Sequence, residues 1–164
     1  EYPEALNNRG VVASRKGDYK AAVADLTAAI KIYDNYTDAY GNRSFAYRKL
    51  DMFKEAVADV KLAMKIDPND YKPVNDHAWI LATAEDATVL DPNAAVKEAV
   101  RACEMTQYSN WNTLDTLATA YAAQRDFKSA LQWITTALEK APEKYKPMLE
   151  KHRQLIAAGK PVPQ

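Results

Sequence analysis

The 164-residue sequence predicts an all-α protein, a right-handed α-solenoid of four helix–turn–helix repeats followed by a C-terminal capping helix. Three observations predict this class. Equivalent residues recur 34 positions apart, apolar residues recur three and four positions apart within each unit, and small residues occupy the same places in every unit. We expect a single domain over residues 1–164, with repeats at about 3–36, 37–70, 71–110 and 111–142 and a cap helix at about 143–158.

The repeats are defined by their alignment. Segments 3–36, 37–70 and 111–144 superimpose without gaps, whereas 71–110 needs about five extra residues in its middle and one at its end. Three positions in each unit hold only Gly, Ala or Ser, which predicts close approach of neighbouring helix backbones. These positions are Gly10, Ala22 and Ala29; Ser44, Ala56 and Ala63; Ala78, Ala95 and Ala102; and Ala118, Ala130 and Ala137.

Each unit predicts two amphipathic helices. In the first unit, Leu6, Gly10 and Ala13 mark one face of the first helix, and Ala22 and Leu26 mark one face of the second. The same spacing continues along the chain and predicts helices over 4–16, 19–33, 37–50, 53–66, 71–84, 93–105, 111–124, 127–140 and 143–158.

Capping and helix-breaking residues support these boundaries. Asp91 and Pro92 suit an N-cap and the first residue of a helix. Pro68 and Pro142 follow helices that they cannot continue. The ninth helix is rich in charged residues, as the polar cap of a repeat array must be, and Gly159–Gln164 is expected to be a solvated tail.

The pattern resembles the tetratricopeptide repeat (TPR), a 34-residue helix–turn–helix unit. The family's bulky apolar position 4 is occupied by Leu6, Tyr40, Val74 and Leu114, and its proline position 32 by Pro68 and Pro142 in two of the repeats. The segments from Leu81 to Glu104 and from Leu114 to Ala118 resemble a variety common at the C-termini of longer bacterial proteins, especially planctomycete ones. This resemblance implies that the chain, which opens without Met, is the C-terminal module of a longer protein.

Composition excludes several classes of function. Hydrophobic residues make up 48% and charged residues 27%, as in ordinary globular domains. The 22 basic and 22 acidic residues cancel, which argues against nucleic acid as the main partner. No apolar run approaches the roughly 18–20 residues of a membrane span, so no membrane insertion is predicted. The compartment cannot be inferred from these features.

No catalytic or cofactor site is predicted. The single cysteine, Cys103, falls at an inward position and is interpreted as a small core residue, and His77 as a buried histidine. No His pair at helical spacing suggests zinc, and Glu85, Asp86 and Asp91 lack the spacing of a calcium loop. We therefore expect a non-enzymatic protein with no metal.

In a TPR array the first helix of each repeat lines the concave face, so residues at repeat positions 2, 5, 6, 9, 12 and 13 are expected to be exposed in a groove. In the fourth repeat these are Asn112, Asp115, Thr116, Thr119, Ala122 and Ala123. From the first three repeats we select as candidate peptide-binding residues Asn8, Val11, Arg15, Asn42, Phe45, Arg48, Lys49, Lys72, Asp76 and Trp79.

Phe45 and Trp79 are the predicted anchors, since both occupy position 9 and aromatic residues dominate binding hot spots. Their rings are expected about 10 Å apart, the spacing of neighbouring helices. With Arg15, Arg48 and Lys49 as a basic edge, they favour an apolar peptide that carries acidic residues.

The five-residue carboxylate clamp of chaperone-binding TPR domains fits poorly. Only Asn42 and Lys72 match it, and Asp76 reverses the charge of a key residue. Two hypotheses stay open: a scaffold that binds a peptide or protein segment in its groove, and a structural spacer or self-association module of a longer protein. The second includes a homo-oligomer.

Overall fold

The computed structural model describes residues 2–163, which form nine α-helices, one short 3₁₀ helix and no strand. The helices are α1 (Pro3–Arg15), α2 (Tyr19–Ile32), α3 (Thr37–Arg48), α4 (Phe53–Ile66), α5 (Tyr71–Thr83), α6 (Pro92–Met105), α7 (Trp111–Ala123), α8 (Phe127–Lys140) and α9 (Lys146–Ala157). The 3₁₀ helix covers Glu143–Tyr145. The predicted all-α class, with paired helices followed by a C-terminal helix, is confirmed.

The chain divides into two compact units. Unit 1 covers residues 1–73 and unit 2 residues 74–164, so α5 begins in the first and ends in the second. Each has its own buried core. The core of unit 1 includes Leu6, Leu26 and Tyr40, and that of unit 2 includes Leu114 and Ile134.

Local capping residues set several helix starts. The side chains of Asp18, Asp91 and Asp126 each accept a hydrogen bond from a backbone N–H in the first turn of the following helix. Pro92 occupies the first turn of α6, so the predicted Asp91–Pro92 start is confirmed. Within the described residues, no helix is both long and apolar enough to cross a membrane.

One turn geometry recurs between the two helices of the first, second and fourth repeats. Gly17, Asp51 and Arg125 occupy equivalent places and have φ angles of 82°, 59° and 66°. In each case the next residue donates its N–H to a carbonyl of the preceding helix at 2.9–3.0 Å, as in a Schellman C-cap. Two side-chain-bearing residues thus adopt a left-handed conformation that glycine accepts most easily.

All twelve small positions predicted from the repeat alignment are buried. In unit 1 the Ser44 hydroxyl donates a 3.0 Å hydrogen bond to the carbonyl of Ala56, which shows how closely α3 and α4 approach. A Cβ atom added at Gly10 would lie only 2.8 Å from Cγ of Leu26. The small residues are therefore needed because backbone and side chain from neighbouring helices occupy the space next to them.

The C-terminal segment differs from its prediction in two ways. Residues 143–145 form a 3₁₀ turn and α9 starts at Lys146, because Pro147 fits the first turn of an α-helix, where no backbone N–H partner is needed. The expectation of a wholly solvated tail is wrong, since Val162 is only 2% exposed. Gln164, the last residue of the predicted tail, lies outside the described residues.

Candidate functional site

The candidate residues of unit 1 come from two neighbouring first helices, α1 and α3, and we call them the unit 1 face. Their spacing of three and four residues places them along one side of each helix. Of its members, Asn8, Arg15, Phe45 and Lys49 are exposed, whereas Val11, Asn42 and Arg48 are half-buried. The members are Asn8, Val11, Arg15, Asn42, Phe45, Arg48 and Lys49.

Phe45 is the aromatic centre of this face. Phe45 is 41% exposed. The Tyr19 ring meets it edge-to-face at 6.3 Å between centroids. The Arg48 guanidinium lies 5.6 Å and the Lys49 ammonium 5.9 Å from the Phe45 centroid, within range of cation–π attraction. The Phe45 ring is therefore an apolar surface with two cations beside it.

An amide pair links the two helices of the unit 1 face. Asn42 Nδ2 donates a hydrogen bond of 2.9 Å to Oδ1 of Asn7, and Asn7 is buried. One of the two donors of the Asn42 amide is thus used within the protein, which fixes the orientation of its side chain.

The positive charge of the unit 1 face is concentrated near Phe45. Partial burial, together with the positive charge of Arg48, lowers the pKa of Lys49. A ligand carboxylate placed beside Lys49 would stabilise its charged form, since an opposite charge at short range favours ionisation.

The other three candidates lie on α5. Lys72 is exposed, while Asp76 and Trp79 are half-buried. The Trp79 ring lies 6.0 Å from the His152 ring of α9, between centroids. Phe45 belongs to unit 1 and Trp79 to unit 2, so their predicted 10 Å pairing stays a prediction.

The fourth repeat does not expose the face that the repeat pattern predicts. Asp115, Thr116, Thr119 and Ala122 are at most 2% exposed. One element beside α7 is α9, which packs against both α7 and α8. Nδ1 of His152 donates a 2.8 Å hydrogen bond to the Asp115 carboxylate. In unit 2 the C-terminal helix thus contacts Asp115, one of the residues that were expected to line a groove.

Sequence reasoning missed a recurring ion pair. Arg43 binds both carboxylate oxygens of Asp59 at 2.7 and 2.8 Å, and one repeat earlier Arg9 binds Asp25 at 2.7 Å through two atoms. The available signal was an Arg and an Asp 16 residues apart at the same place in two consecutive repeats.

The same two positions change character in unit 2. The third repeat holds His77 and Glu98 there, with Nδ1 and Oε1 3.9 Å apart. The fourth repeat holds Leu117, a buried core residue, and Trp133, which is half-buried and packs against the same core. The two positions thus lie on the first and second helices of a repeat. They hold either an acidic and a basic side chain or two apolar side chains.

Burial distinguishes the two arginine pairs. The Asp59 side chain is 4% exposed, and the hydrogen bonds that Arg43 donates to the Asp59 carboxylate raise the pKa of Arg43 further. Arg43 also donates to the Thr27 hydroxyl at 3.0 Å and lies 5.6 Å from the Tyr40 and Tyr47 ring centroids. Unit 1 therefore contains a structural ion pair that faces its core.

Candidate catalytic groups are confined to the interior. His77 and Cys103 are both buried, as predicted. Among residues 2–163, no cluster of three or more His, Cys, Asp or Glu side chains is arranged to hold a metal ion. Burial raises the pKa of the Cys103 thiol from 9.0 to about 11, which opposes formation of the reactive thiolate.

This shift predicts a pH dependence of stability. The folded-state pKa is raised, so the contribution of the neutral thiol is complete below pH 9 and is lost as the pH rises towards 11. We expect the unfolding free energy of the wild type to fall by on the order of 2 kcal/mol more than that of Cys103→Ala over this range. Urea unfolding of both proteins at pH 8 and at pH 11 measures it. An equal loss of unfolding free energy in the wild type and in Cys103→Ala would contradict the assignment of this pH dependence to Cys103.

Comparison with known proteins agrees with this architecture. Residues 3–36 and 37–70 each match a family model described as tetratricopeptide repeat. No curated protein sequence gives a significant match.

Solved structures with the same fold include a thermophilic TPR protein of Thermus thermophilus, which has 18% identity and a TM-score of 0.81 over 96% of this chain and 82% of that one. PilW, a type IV pilus biogenesis factor, has 20% identity and a TM-score of 0.79 over 96% of this chain and 70% of PilW. YrrB, described as a TPR protein with an unusual peptide-binding site, has 16% identity and a TM-score of 0.63 over 93% of this chain and 75% of YrrB. At these identities the likeness shows the fold.

The match of two consecutive family models at the predicted repeat boundaries agrees with the recurring turns, the buried small positions and the similar solved structures. Residues 3–70 therefore consist of two tetratricopeptide repeats, and the chain has the fold of solved tetratricopeptide repeat proteins.

Proposed function

We propose that this protein is a scaffold that binds a peptide or protein segment, with the unit 1 face as its contact surface. TPR folds are typically non-enzymatic interaction modules, and the similar protein YrrB is described as having a peptide-binding site. The observation that carries the proposal is the exposed Phe45 ring with Arg48 and Lys49 beside it.

The chemistry of this surface favours an apolar segment that contains acidic residues. The Phe45 ring offers an apolar contact that a hydrophobic side chain of the ligand can cover, and aromatic residues are common binding hot spots. Arg15, Arg48 and Lys49 supply positive charge for ligand carboxylates. Asn8 and Asn42 carry amides that suit a peptide backbone.

Substitution of Phe45 tests the proposal. In a screen of octapeptides that each contain one aromatic or aliphatic residue and two acidic ones, Phe45→Ala should weaken binding by about 30-fold, the effect of losing a hot-spot residue of about 2 kcal/mol. Leu62→Ala is the matched control because Leu62 is 44% exposed on α4, outside the unit 1 face. Isothermal titration of the selected peptides measures the change. Equal affinities for both variants would refute the role of Phe45.

The contribution of the basic edge can be tested separately through the charge of the peptide and the salt concentration. Lys49→Gln should weaken acidic peptides more than peptides with Asn and Gln in place of Asp and Glu, and the difference should shrink as salt is raised. Titrations at low and high salt measure this difference.

Three residues of α5 are proposed as further contacts: Lys72, Asp76 and Trp79. Single alanine substitutions in the same peptide screen test each of them.

One observation favours the second hypothesis, a structural or self-association module. Four of the six predicted groove residues of the fourth repeat are buried, so this repeat exposes less of its first helix than the repeat pattern predicts. Light scattering separates the hypotheses: a mass near 18.3 kDa is expected for a peptide-binding monomer, and a larger mass for self-association.

A further inference from the structure

Unit 2 contains a cleft that none of the features above explains. It has a volume of about 370 Å³ and lies at the C-terminal ends of α5 and α7, with Leu90 of the following loop and Phe127 of α8 among its walls. This volume lies within the range of ligand-binding pockets. The lining is mainly apolar, and Glu85 and Arg125 are its charged members.

One wall of the cleft is the C-terminal tail of the chain itself. The tail leaves α9 through a turn in which Gly159 has a φ of 68° and Lys160 donates its N–H to the Leu155 carbonyl at 3.0 Å. Pro161, Val162 and Pro163 then line the cleft.

The tail is held there by its side chains. Among the described residues, no hydrogen bond attaches positions 161–163 to the rest of the chain, and these residues have no secondary structure. Val162 is nevertheless 2% exposed and belongs to the core of unit 2, while Pro161 and Pro163 on either side are exposed. The cleft thus accepts one aliphatic side chain from an irregular, proline-flanked segment.

We propose that this cleft is a second peptide-binding site, specific for a partner segment in which an aliphatic residue stands between two prolines, and that residues 161–163 occupy one side of it as an internal competitor. The tail shows the chemistry of the ligand, because it is itself a bound segment of this kind. Prolines restrict the free segment to extended conformations, so little entropy is lost when it binds. The remaining 370 Å³ of space leaves room for a side chain larger than valine. The site is independent of the unit 1 face.

The test uses the full chain with the tail displaced. Val162→Asp should release the tail, because the Val162 side chain is almost completely buried and removing a carboxylate from water there is costly. Lys160→Gln is the control, since it changes the net charge by the same amount at an exposed position. The probes are fluorescein-labelled peptides Gly-Lys-Pro-Val-Pro-Gln, Gly-Lys-Pro-Leu-Pro-Gln and Gly-Lys-Ala-Asp-Ala-Gln.

Fluorescence anisotropy should show the Val and Leu peptides binding at least tenfold more tightly to Val162→Asp than to the wild type or to Lys160→Gln. The Leu peptide should bind more tightly than the Val peptide, and the Asp peptide should not bind. Adding Leu90→Asp, at an exposed residue of the cleft wall, should abolish binding. A folded Val162→Asp chain that binds neither peptide, or binding that Leu90→Asp does not change, would overturn the proposal.

If circular dichroism shows that Val162→Asp is unfolded, the wild type decides the matter. Millimolar Leu peptide should then shift the amide resonance of Phe127 in the wild type but not in a Leu90→Asp chain, and the absence of a shift in the wild type would overturn the proposal. A wild-type dimer that Leu90→Asp dissociates would instead assign the cleft to the tail of a second copy and would also overturn the proposal of a different partner.

Discussion

Arg43→Met is expected to lower the free energy of unfolding of unit 1 by about 3–5 kcal/mol, the usual result of removing one partner from a buried ion pair. The substitution leaves the Asp59 carboxylate, only 4% exposed, without its bidentate partner. It also removes the hydrogen bond to Thr27. Methionine keeps the apolar stem of arginine, so most of the packing is preserved. The loss of unfolding free energy therefore measures mainly the removed charge and hydrogen bonds. Urea unfolding followed by circular dichroism measures the change.

The chain supplies a control for this experiment in its first repeat. Arg9 and Asp25 form the same bidentate pair at the equivalent positions, but the Arg9 side chain is 61% exposed. Arg9→Met should therefore cost no more than about 1 kcal/mol. Similar losses for Arg9→Met and Arg43→Met would show that burial does not determine the contribution of the pair.

A double substitution tests the physical reason. Arg43→Met with Asp59→Leu removes both charges, so it should recover most of the stability lost in Arg43→Met. The fourth repeat already has apolar residues at the same positions, with Leu117 in its core and Trp133 packed against it. A double variant that is less stable than Arg43→Met would contradict this explanation.

Ala56→Trp should have a comparably large effect through overpacking. Ala56 is fully buried, and its carbonyl accepts the hydrogen bond from Ser44 at the contact of α3 with α4. An indole there must push the two helices apart, at an expected cost of about 3 kcal/mol or more. For a unit of this size, such a loss lowers the melting temperature by roughly 10 °C or more.

Ala58→Trp is the matched control, because Ala58 lies two residues further along α4 and is exposed. It should change the melting temperature of unit 1 by no more than a few degrees. An unchanged melting temperature for Ala56→Trp would contradict the assignment of the small positions, on which the repeat alignment depends.

Much of the fold was predictable because its determinants are local and periodic. The helix boundaries follow from apolar spacing, from caps such as Asp91 and from the prolines, and each acts within one turn of the helix. The small positions were predictable even in the third repeat, where the alignment needs a gap, because only Gly, Ala or Ser fits where two helix backbones approach. The Arg43–Asp59 pair carried a signal as well, although a 16-residue spacing becomes visible only after the repeats are aligned.

The candidate site was only partly predictable. Helical spacing places Phe45 and Lys49 on one side of α3, and the structure shows that this side is exposed and that both cations lie beside the ring. The same spacing placed Asp115 and Thr119 on an equivalent face, yet both are buried. Periodicity states which residues share a face of a helix but not what packs against that face.

The sequence by itself determined the all-α repeat architecture, its 34-residue period and the twelve small positions, since all of these depend on contacts that recur at constant spacing. Only the tertiary structure decided that α9 packs against α7, where His152 bonds to Asp115, and that Val162 is buried beside Pro161 and Pro163. Both depend on contacts between residues far apart in the chain that occur once and do not repeat. No periodic pattern encodes such contacts, and their stability comes from the apolar surface that they remove from water.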